Sequence, residues 1–313
     1  MTNNLQTTDR IRTILIAGGT GFLGTNLATW LMGRGHRVLA TGRRGRTLDG
    51  RPAIPIPVDD VDALCELMRV EKVDTLVHMA CQLLPASTEL EYEREIAEVH
   101  LPMFRLAREL PAMGVGFTYI SSGGAVYGPS SHALTSEDEP CRPISLYGQA
   151  KLEAESHLRF LARTCRLRLL IVRPSNPYGL HQSLHGKQGL VSVVLGRIAD
   201  SRPLDVWGDG STVRDYIFVE DAVQSMGELI LQNADGTYNI GSGVGTSMLD
   251  VVRFAEAITG KSVTLQFHPA RRADVPHLVL DITRLAALGL HHARPLHAGM
   301  RRYIEQLGMS RAD

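Results

Sequence analysis

The chain has 313 residues, 33 of them basic and 33 acidic, so its net charge is close to zero. Balanced charge offers no long-range attraction to nucleic acid or to an acidic membrane surface, and neither is expected as a partner. No apolar run approaches the ~18 residues that span a bilayer, residues 1–10 are polar and unlike a secretory leader, and a cytoplasmic setting is expected.

In chain order, residues 12–17 form a short apolar run of strand type, followed at once by Gly18-Gly19-Thr20-Gly21-Phe22-Leu23-Gly24. Apolar residues then recur at helical spacing over 22–33. Further strands are predicted over 36–41, 54–58, 74–79, 115–121 and 167–173, with helices over 60–70, 89–112 and 145–164. This βα alternation predicts an α/β protein, a parallel sheet covered on both faces. Past Arg173 the rhythm breaks at Pro174, Pro177 and Pro203. The expected division is a dinucleotide-binding domain over 11–174, with 215–240 returning to it, and a substrate domain from 175–214 and 241–313. Cys65, Cys81, Cys141 and Cys165 are scattered without metal-ligand spacing, so reduced thiols and no metal centre are expected.

Strand, glycine turn and helix in succession are the context of a dinucleotide fingerprint. Gly18 would permit the tight turn, Gly21 would let the backbone approach a pyrophosphate at the helix N-terminus, and Gly24 would allow close packing. The second chemical signal is Tyr147-Gly148-Gln149-Ala150-Lys151. Residues four apart share a helix face, so the Lys151 ammonium is expected to favour the Tyr147 phenolate and draw its pKa towards neutrality. Such a phenol can take a proton from a substrate hydroxyl while hydride leaves the same carbon.

Other motifs extend the pattern. They are Leu76-Val77-His78-Met79-Ala80, Ser121-Ser122-Gly123-Gly124-Ala125-Val126-Tyr127-Gly128, and Arg173-Pro174-Ser175-Asn176-Pro177-Tyr178-Gly179. Trp207-Gly208-Asp209-Gly210-Ser211-Thr212-Val213-Arg214-Asp215-Tyr216, Tyr238-Asn239-Ile240-Gly241-Ser242-Gly243 and Pro269-Ala270-Arg271-Arg272 follow. Through these motifs, from about Ile11 to about Gln306, the chain resembles the extended short-chain dehydrogenase/reductases of the nucleotide-sugar epimerase/dehydratase family. Its C-terminal motifs are most similar to the UDP-glucose 4-epimerase-like members. The resemblance implies a Rossmann-like doubly wound sheet for NAD or NADP and a smaller C-terminal α/β lobe for a nucleoside-diphosphate sugar. It implies Tyr147 as acid/base and Lys151 as its electrostatic partner and a ribose ligand. Thr20, Phe22, Leu23 and Ala80 join the glycines in the cofactor set. Asn176, Arg214 and Arg271 would face the substrate diphosphate, and Trp207 would contact the nucleotide or pack in the core. It also implies a homodimer through helices 89–112 and 145–164.

Departures from the family pattern narrow the reaction. Where relatives carry a Ser or Thr near the reacting sugar oxygen this chain has Gly123, and Ser122 is the nearest candidate to replace that hydroxyl. The 4,6-dehydratases of the family need an Asp-Glu pair where Gly124 and Ala125 stand, the 3,5-epimerase/reductases a Cys where Ala125 stands, and the decarboxylases a Glu in the same segment. His181 near the matching histidine position reads as a loop residue. His100 replaces a common Asn, either as its hydrogen-bonding substitute or as a buried structural histidine. After the second strand, Gly42-Arg43-Arg44 stands where NAD enzymes tend to carry an acid, which leans towards the 2′-phosphate of NADP; Asp59 is a candidate adenine contact. The expected activity is 4-epimerisation, with NADPH-dependent reduction of a 4-keto-sugar as the alternative. A non-catalytic dinucleotide sensor is the remote one.

Overall fold

The computed structural model describes residues 10–130, 132–186, 188–270 and 275–309. Its first elements are β1 (Thr13–Ala17), α1 (Phe22–Gly33), β2 (Arg37–Thr41), α2 (Val61–Val70) and β3 (Thr75–His78). Next come α3 (Glu89–Glu95), a π-turn (Ile96–His100), α4 (Leu101–Met113), β4 (Gly116–Ile120), α5 (Gly123–Val126), α6 (Leu146–Cys165), β5 (Leu169–Pro174) and β6 (Asn176–Tyr178). The remainder is α7 (Leu190–Ala199), β7 (Leu204–Trp207), β8 (Val213–Phe218), α8 (Val219–Leu231), β9 (Gly236–Ile240), β10 (Gly245–Ser247), α9 (Met248–Thr259), β11 (Leu265–His268), β12 (His277–Leu278), α10 (Thr283–Ala286) and α11 (Leu296–Gln306).

The chain divides into two compact units. The first comprises the residues up to Ser122 with Ser145–Arg173 and Val223–Tyr238. Its sheet runs in the order β2-β1-β3-β4-β5-β9, and the pairings from β2 through β5 are parallel. Central strands such as β3 and β4 are buried along their whole length, which is why they read as continuous apolar runs rather than alternating ones. Leu15, Leu76, Phe117 and Ile171 meet Leu106, Leu110, Leu158 and Leu161 from the helices to form the core.

Three local features fix the elements that carry the chemistry. Ser145 caps α6, its hydroxyl accepting from the Gly148 N–H at 3.1 Å, and so starts the helix two residues before Tyr147. Further along, Glu155 is buried against Arg173 of β5, with Arg173 Nε donating to Oε1 at 2.9 Å and Nη2 to Oε2 at 2.6 Å. Burial opposes the Glu155 charge, but Arg173 outweighs it and holds the carboxyl below its ordinary range. The third is the π-turn. Pro102 in the first turn of α4 has no N–H to give the carbonyl four residues back, so regular α pairing cannot run through it. The single helix expected over 89–112 is therefore interrupted at Ile96–His100.

The strand expected over 54–58 is absent as a ladder; Ile54 makes only an isolated bridge to Thr41. Pro55 and Pro57 have no N–H to donate, and so the segment cannot pair along its length.

The second unit contains Gly123–Ile144, Pro174–Ala222 and the chain from Asn239 onward. Here β8 pairs with β6, β10 and β12, while β7 pairs with β11 in register Trp207 to His268. Of the segment 215–240, strand β8 lies in this unit's sheet and Val223–Tyr238 belongs to the first unit. Val191, Leu195, Val252, Met300 and Ile304 form its core. No helix among the described residues is long and apolar enough to cross a membrane.

Candidate active site

A cavity of about 860 Å³ opens at the C-terminal end of the first unit's strands, within the range of small-molecule sites. Gly18, Thr20, Gly21, Arg43, Arg44, Asp59 and Ala80 of the predicted cofactor set line it, together with Gly42, Cys81, Gln82, Glu98 and Val99. Phe22, Leu23 and Gly24 stand in the first turns of α1 and do not line it. Gly18 has a left-handed φ of +84°, and a Cβ there would lie 2.6 Å from the Ala80 nitrogen, so only glycine fits. Helix α1 begins after Gly21 with no side-chain cap. Its first N–H groups are left for an external anion, as a dinucleotide pyrophosphate requires. The residues present thus fit a nicotinamide dinucleotide.

The wall at Gly42 is shaped sterically as well as electrically. A Cβ there would sit 2.5 Å from Thr20 Oγ1, so the position that carries an acid in many NAD enzymes is closed to a side chain unless Thr20 turns away. Arg43 and Arg44 beside it are exposed.

Tyr147 and Lys151 lie in the same unit, one turn apart on α6. Lys151 is 4% exposed; its Nζ donates to the Ile120 carbonyl at 3.0 Å. The nitrogen is 5.9 Å from the Tyr147 ring centre and 5.0 Å from that of Tyr119. Burial works against the ammonium, yet Tyr119, Cys81, Tyr147 and Glu95 together hold its pKa above the ordinary lysine value. Ser122 is near enough to Tyr147 to act on the phenol, lowering its pKa, so the structure brings the three expected catalytic groups together. One expectation is corrected. Burial raises the Tyr147 pKa above the ordinary phenol value, and Lys151 and Ser122 only reduce that rise. The phenol is a proton carrier here, not a standing phenolate.

Around Lys151 lies a buried polar cluster that the sequence motifs did not announce as a group. His78 and His100 are 1% and 2% exposed, and burial, with Lys151 nearby, lowers each imidazole to about 3. Burial pushes the Cys81 thiol up to about 11 and the Tyr119 phenol up strongly. Glu95, 1% exposed, completes the group. His100 had been flagged, but Glu95 had not. In a regular helix a residue and its fifth neighbour point to different sides, and only the π-turn aligns these two.

In the second unit, Asn176 and Arg214 line a smaller cavity of about 160 Å³. Asn176 Nδ2 donates to the Asp215 carbonyl at 2.8 Å. The buried Asp215 carboxylate accepts from the Ser242 N–H at 2.8 Å and the Gly243 N–H at 3.1 Å, which ties the Tyr238–Gly243 motif to the strand that carries Arg214. Burial nevertheless raises the Asp215 pKa. Trp207 is 40% exposed, so it is a surface aromatic rather than a core one. It stacks on His268 with ring centres 4.7 Å apart. Gly123 opens α5 and is buried. His181 has a left-handed φ of 72°, in keeping with a loop residue. Arg271 lies outside the described residues. All four cysteines are free, and no metal-binding cluster occurs among the described residues.

A parallel sheet with a glycine turn at its first crossover, and a Tyr/Lys pair on a helix of the same unit, define an enzyme that works with a nicotinamide dinucleotide. The comparisons narrow this. The model of the NAD dependent epimerase/dehydratase family matches residues 14–241. The chain is 30% identical to the UDP-glucose 4-epimerase of Mycolicibacterium smegmatis, over 93% of this chain and 97% of the relative. It is 27% identical to the dTDP-4-dehydro-6-deoxyglucose reductase of Escherichia coli, over 94% and 97%. A solved UDP-glucose 4-epimerase from Thermotoga maritima, with UDP-glucose, superposes with a TM-score of 0.86 at 28% identity, covering 95% of this chain and 98% of that one. The chain belongs to the NAD dependent epimerase/dehydratase family, whose extended short-chain dehydrogenase/reductase architecture it shares.

Proposed function

We propose that the protein is an NAD(P)-dependent nucleotide-sugar 4-epimerase. The observation that carries this reading is the meeting of Tyr147, Ser122 and Lys151 in the unit that holds the dinucleotide cavity. The match to 4-epimerases over nearly the whole chain supports it. A nicotinamide dinucleotide held by Gly18, Gly21 and the start of α1 would supply reversible hydride transfer at the sugar C4. Tyr147 Oη takes the O4 proton as that C–H bond breaks, and gives it back when the 4-keto group is reduced from the other face. Ser122, beside the phenol, stands in for the hydroxyl missing at Gly123. Lys151 supplies the positive charge that favours the phenolate at the moment of transfer. Asn176, Arg214, Arg271 and Trp207 serve the nucleotide and its diphosphate, the arginines as fixed guanidinium forks. Gly124 and Ala125 offer no acid or base for dehydration.

A second reading, NADPH-dependent reduction of a 4-keto-sugar nucleotide, is favoured by two observations. The Tyr147 proton is held firmly, as suits a donor, and Arg43 and Arg44 flank Gly42 in the cavity wall. Purified protein incubated with UDP-glucose or UDP-galactose separates the two. Interconversion with no net change in NAD(P)H absorbance supports epimerisation. Absence of interconversion, with NADPH oxidised in step with a 4-keto-6-deoxy sugar nucleotide, supports reduction. Tyr147→Phe should lower either turnover by ~1,000-fold or more; full activity in that variant rejects both. Leu90, Leu101 and Phe160 are exposed on α3, α4 and α6, which supports a homodimer through these helices. A monomer in gel filtration at working concentration would reject that assembly.

A further inference from the structure

A buried ammonium is costly unless something compensates its charge, and Lys151 finds little compensation of the usual kind. It is 4% exposed, and no carboxylate pairs with it directly among the described residues. Its Nζ donates one hydrogen bond, to the Ile120 carbonyl at 3.0 Å. The other contacts are aromatic. Nζ lies over the Tyr119 ring, 5.0 Å from its centre, and 5.9 Å from the centre of the Tyr147 ring. A cation is attracted to a ring face within about 6 Å of the centroid, most strongly where water is excluded. Tyr119 stands well inside that range and Tyr147 at its edge.

The Tyr119 ring is itself immobile. It is 1% exposed and sits on β4 between His78 of β3 and Ile171 of β5, its register partners. Around it are core side chains such as Phe117 and Ile171. Its hydroxyl has no hydrogen-bond partner among the described residues, although a buried phenol usually finds one. The ring, not the hydroxyl, is therefore what Tyr119 offers to Lys151. Two consecutive residues of β4 thus meet one ammonium: Ile120 through its carbonyl and Tyr119 through its ring face.

We propose that Tyr119 is a positioning residue, whose ring face and the neighbouring Ile120 carbonyl together seat the Lys151 ammonium for its work on Tyr147. An aromatic face suits this task better than a carboxylate. A carboxylate in contact with Lys151 would cancel the charge that Tyr147 needs as its proton departs. A ring has no net charge, so it holds the cation at short range and leaves the positive field intact. This rests on Tyr147 as the acid/base and Lys151 as its electrostatic partner.

The test changes the electrons of the ring while keeping its shape. Tyr119→Leu should lose turnover by about tenfold or more, and Tyr119→Phe, which keeps the ring, should recover most of it. Mono-, di- and trifluorinated phenylalanine at the same position draw charge from the ring face in steps, and turnover should fall in the same steps. Flat turnover along that series in folded protein overturns the proposal, because packing alone does not sense the charge of the ring. A Tyr119→Phe protein as impaired as Lys151→Met overturns it too. A second readout needs no substrate. In ¹³C-lysine protein the side-chain methylene signals nearest Nζ, assigned by their loss in Lys151→Met, should be shifted upfield by the ring current. They should stay so in Tyr119→Phe and move towards the ordinary lysine position in Tyr119→Leu. Ordinary positions in the wild-type protein overturn the proposal, whether or not Tyr119→Leu folds. Should Tyr147→Phe keep full activity, the reaction assignment fails while the lysine signals still report whether the ring holds the ammonium.

Discussion

Among the described residues of the first unit two carboxylates, Glu95 and Glu155, are buried completely, and they are buried in opposite ways. Glu155 is bound by Arg173 through both oxygens and by Arg159 Nη2 at 2.8 Å. Every lone pair that matters has a cation, and the group locks α6 to β5. Glu95 has one backbone N–H, a neutral imidazole at ion-pair distance and an oxygen left open. A saturated buried charge can only hold structure. Glu95, without such cations, is one of the charges that raise the Lys151 and Tyr147 pKa values. The same residue type at the same depth is thus held in two ways, by guanidiniums in one case and by one N–H beside a neutral imidazole in the other.

The largest expected effect lies on the Glu155 side. Arg173→Leu leaves a buried carboxylate without its principal cation, and breaking such a pair costs ~3–5 kcal/mol. Thermal and urea unfolding of the variant should register that loss. Where the variant remains folded, the Tyr147 phenol transition, followed by NMR titration of ring-¹³C-tyrosine protein, should stay within a few tenths of a pH unit of wild type. A large movement of that transition would erase the difference between the two carboxylates.

The helix cap gives an intermediate effect. Ser145→Ala removes the acceptor for the Gly148 N–H, a loss of ~1 kcal/mol in stability. Because Tyr147 stands in the capped turn, fraying there loosens the phenol as well. The variant should therefore lose several-fold in turnover with little change in cofactor affinity. Unchanged turnover at reduced stability would assign the cap to the Glu155 type of role, structure alone.

How much of this was readable beforehand follows from the same physics. The glycine turn could be read because each requirement is local: a positive φ at Gly18 and a tight strand-to-helix turn leave their mark in seven consecutive residues. Tyr147 and Lys151 could be read because four residues is an α-helical repeat. Helix bounds over 22–33 and 60–70 came within one residue, the first set by the glycine turn before it and the second by the Asp60 cap. Glu95 could not be read. Its partnership with His100 spans five residues, which aligns only where Pro102 breaks the α pattern. The 54–58 segment was misread because its hydrophobic alternation suggests a strand while Pro55 and Pro57 forbid the ladder. The Tyr147 pKa was misjudged for a further reason. Spacing reports that a cation is near but says nothing of burial, and burial is the larger influence.

The smallest expected effect concerns the cavity wall, where charge is exposed instead of buried. Gly42 faces Thr20 Oγ1 so closely that a carboxylate-bearing side chain cannot enter without displacing it, and Arg43 and Arg44 extend along the same wall. Exposed guanidiniums add little to stability, so Arg43→Ser with Arg44→Ser should leave the unfolding midpoint within about a degree of wild type. Their contribution appears only when a phosphate arrives, as charge-assisted hydrogen bonds. The double variant should bind NADPH ~10-fold more weakly and NADH with unchanged affinity, measured by fluorescence titration at fixed ionic strength. Salt should weaken NADPH binding to the wild-type protein in parallel, since exposed charges are screened over ~10 Å at 0.1 M. Equal losses for both dinucleotides would mean that the arginines hold the loop rather than read the 2′-phosphate, and the proposed preference for NADP would then have no basis in this wall.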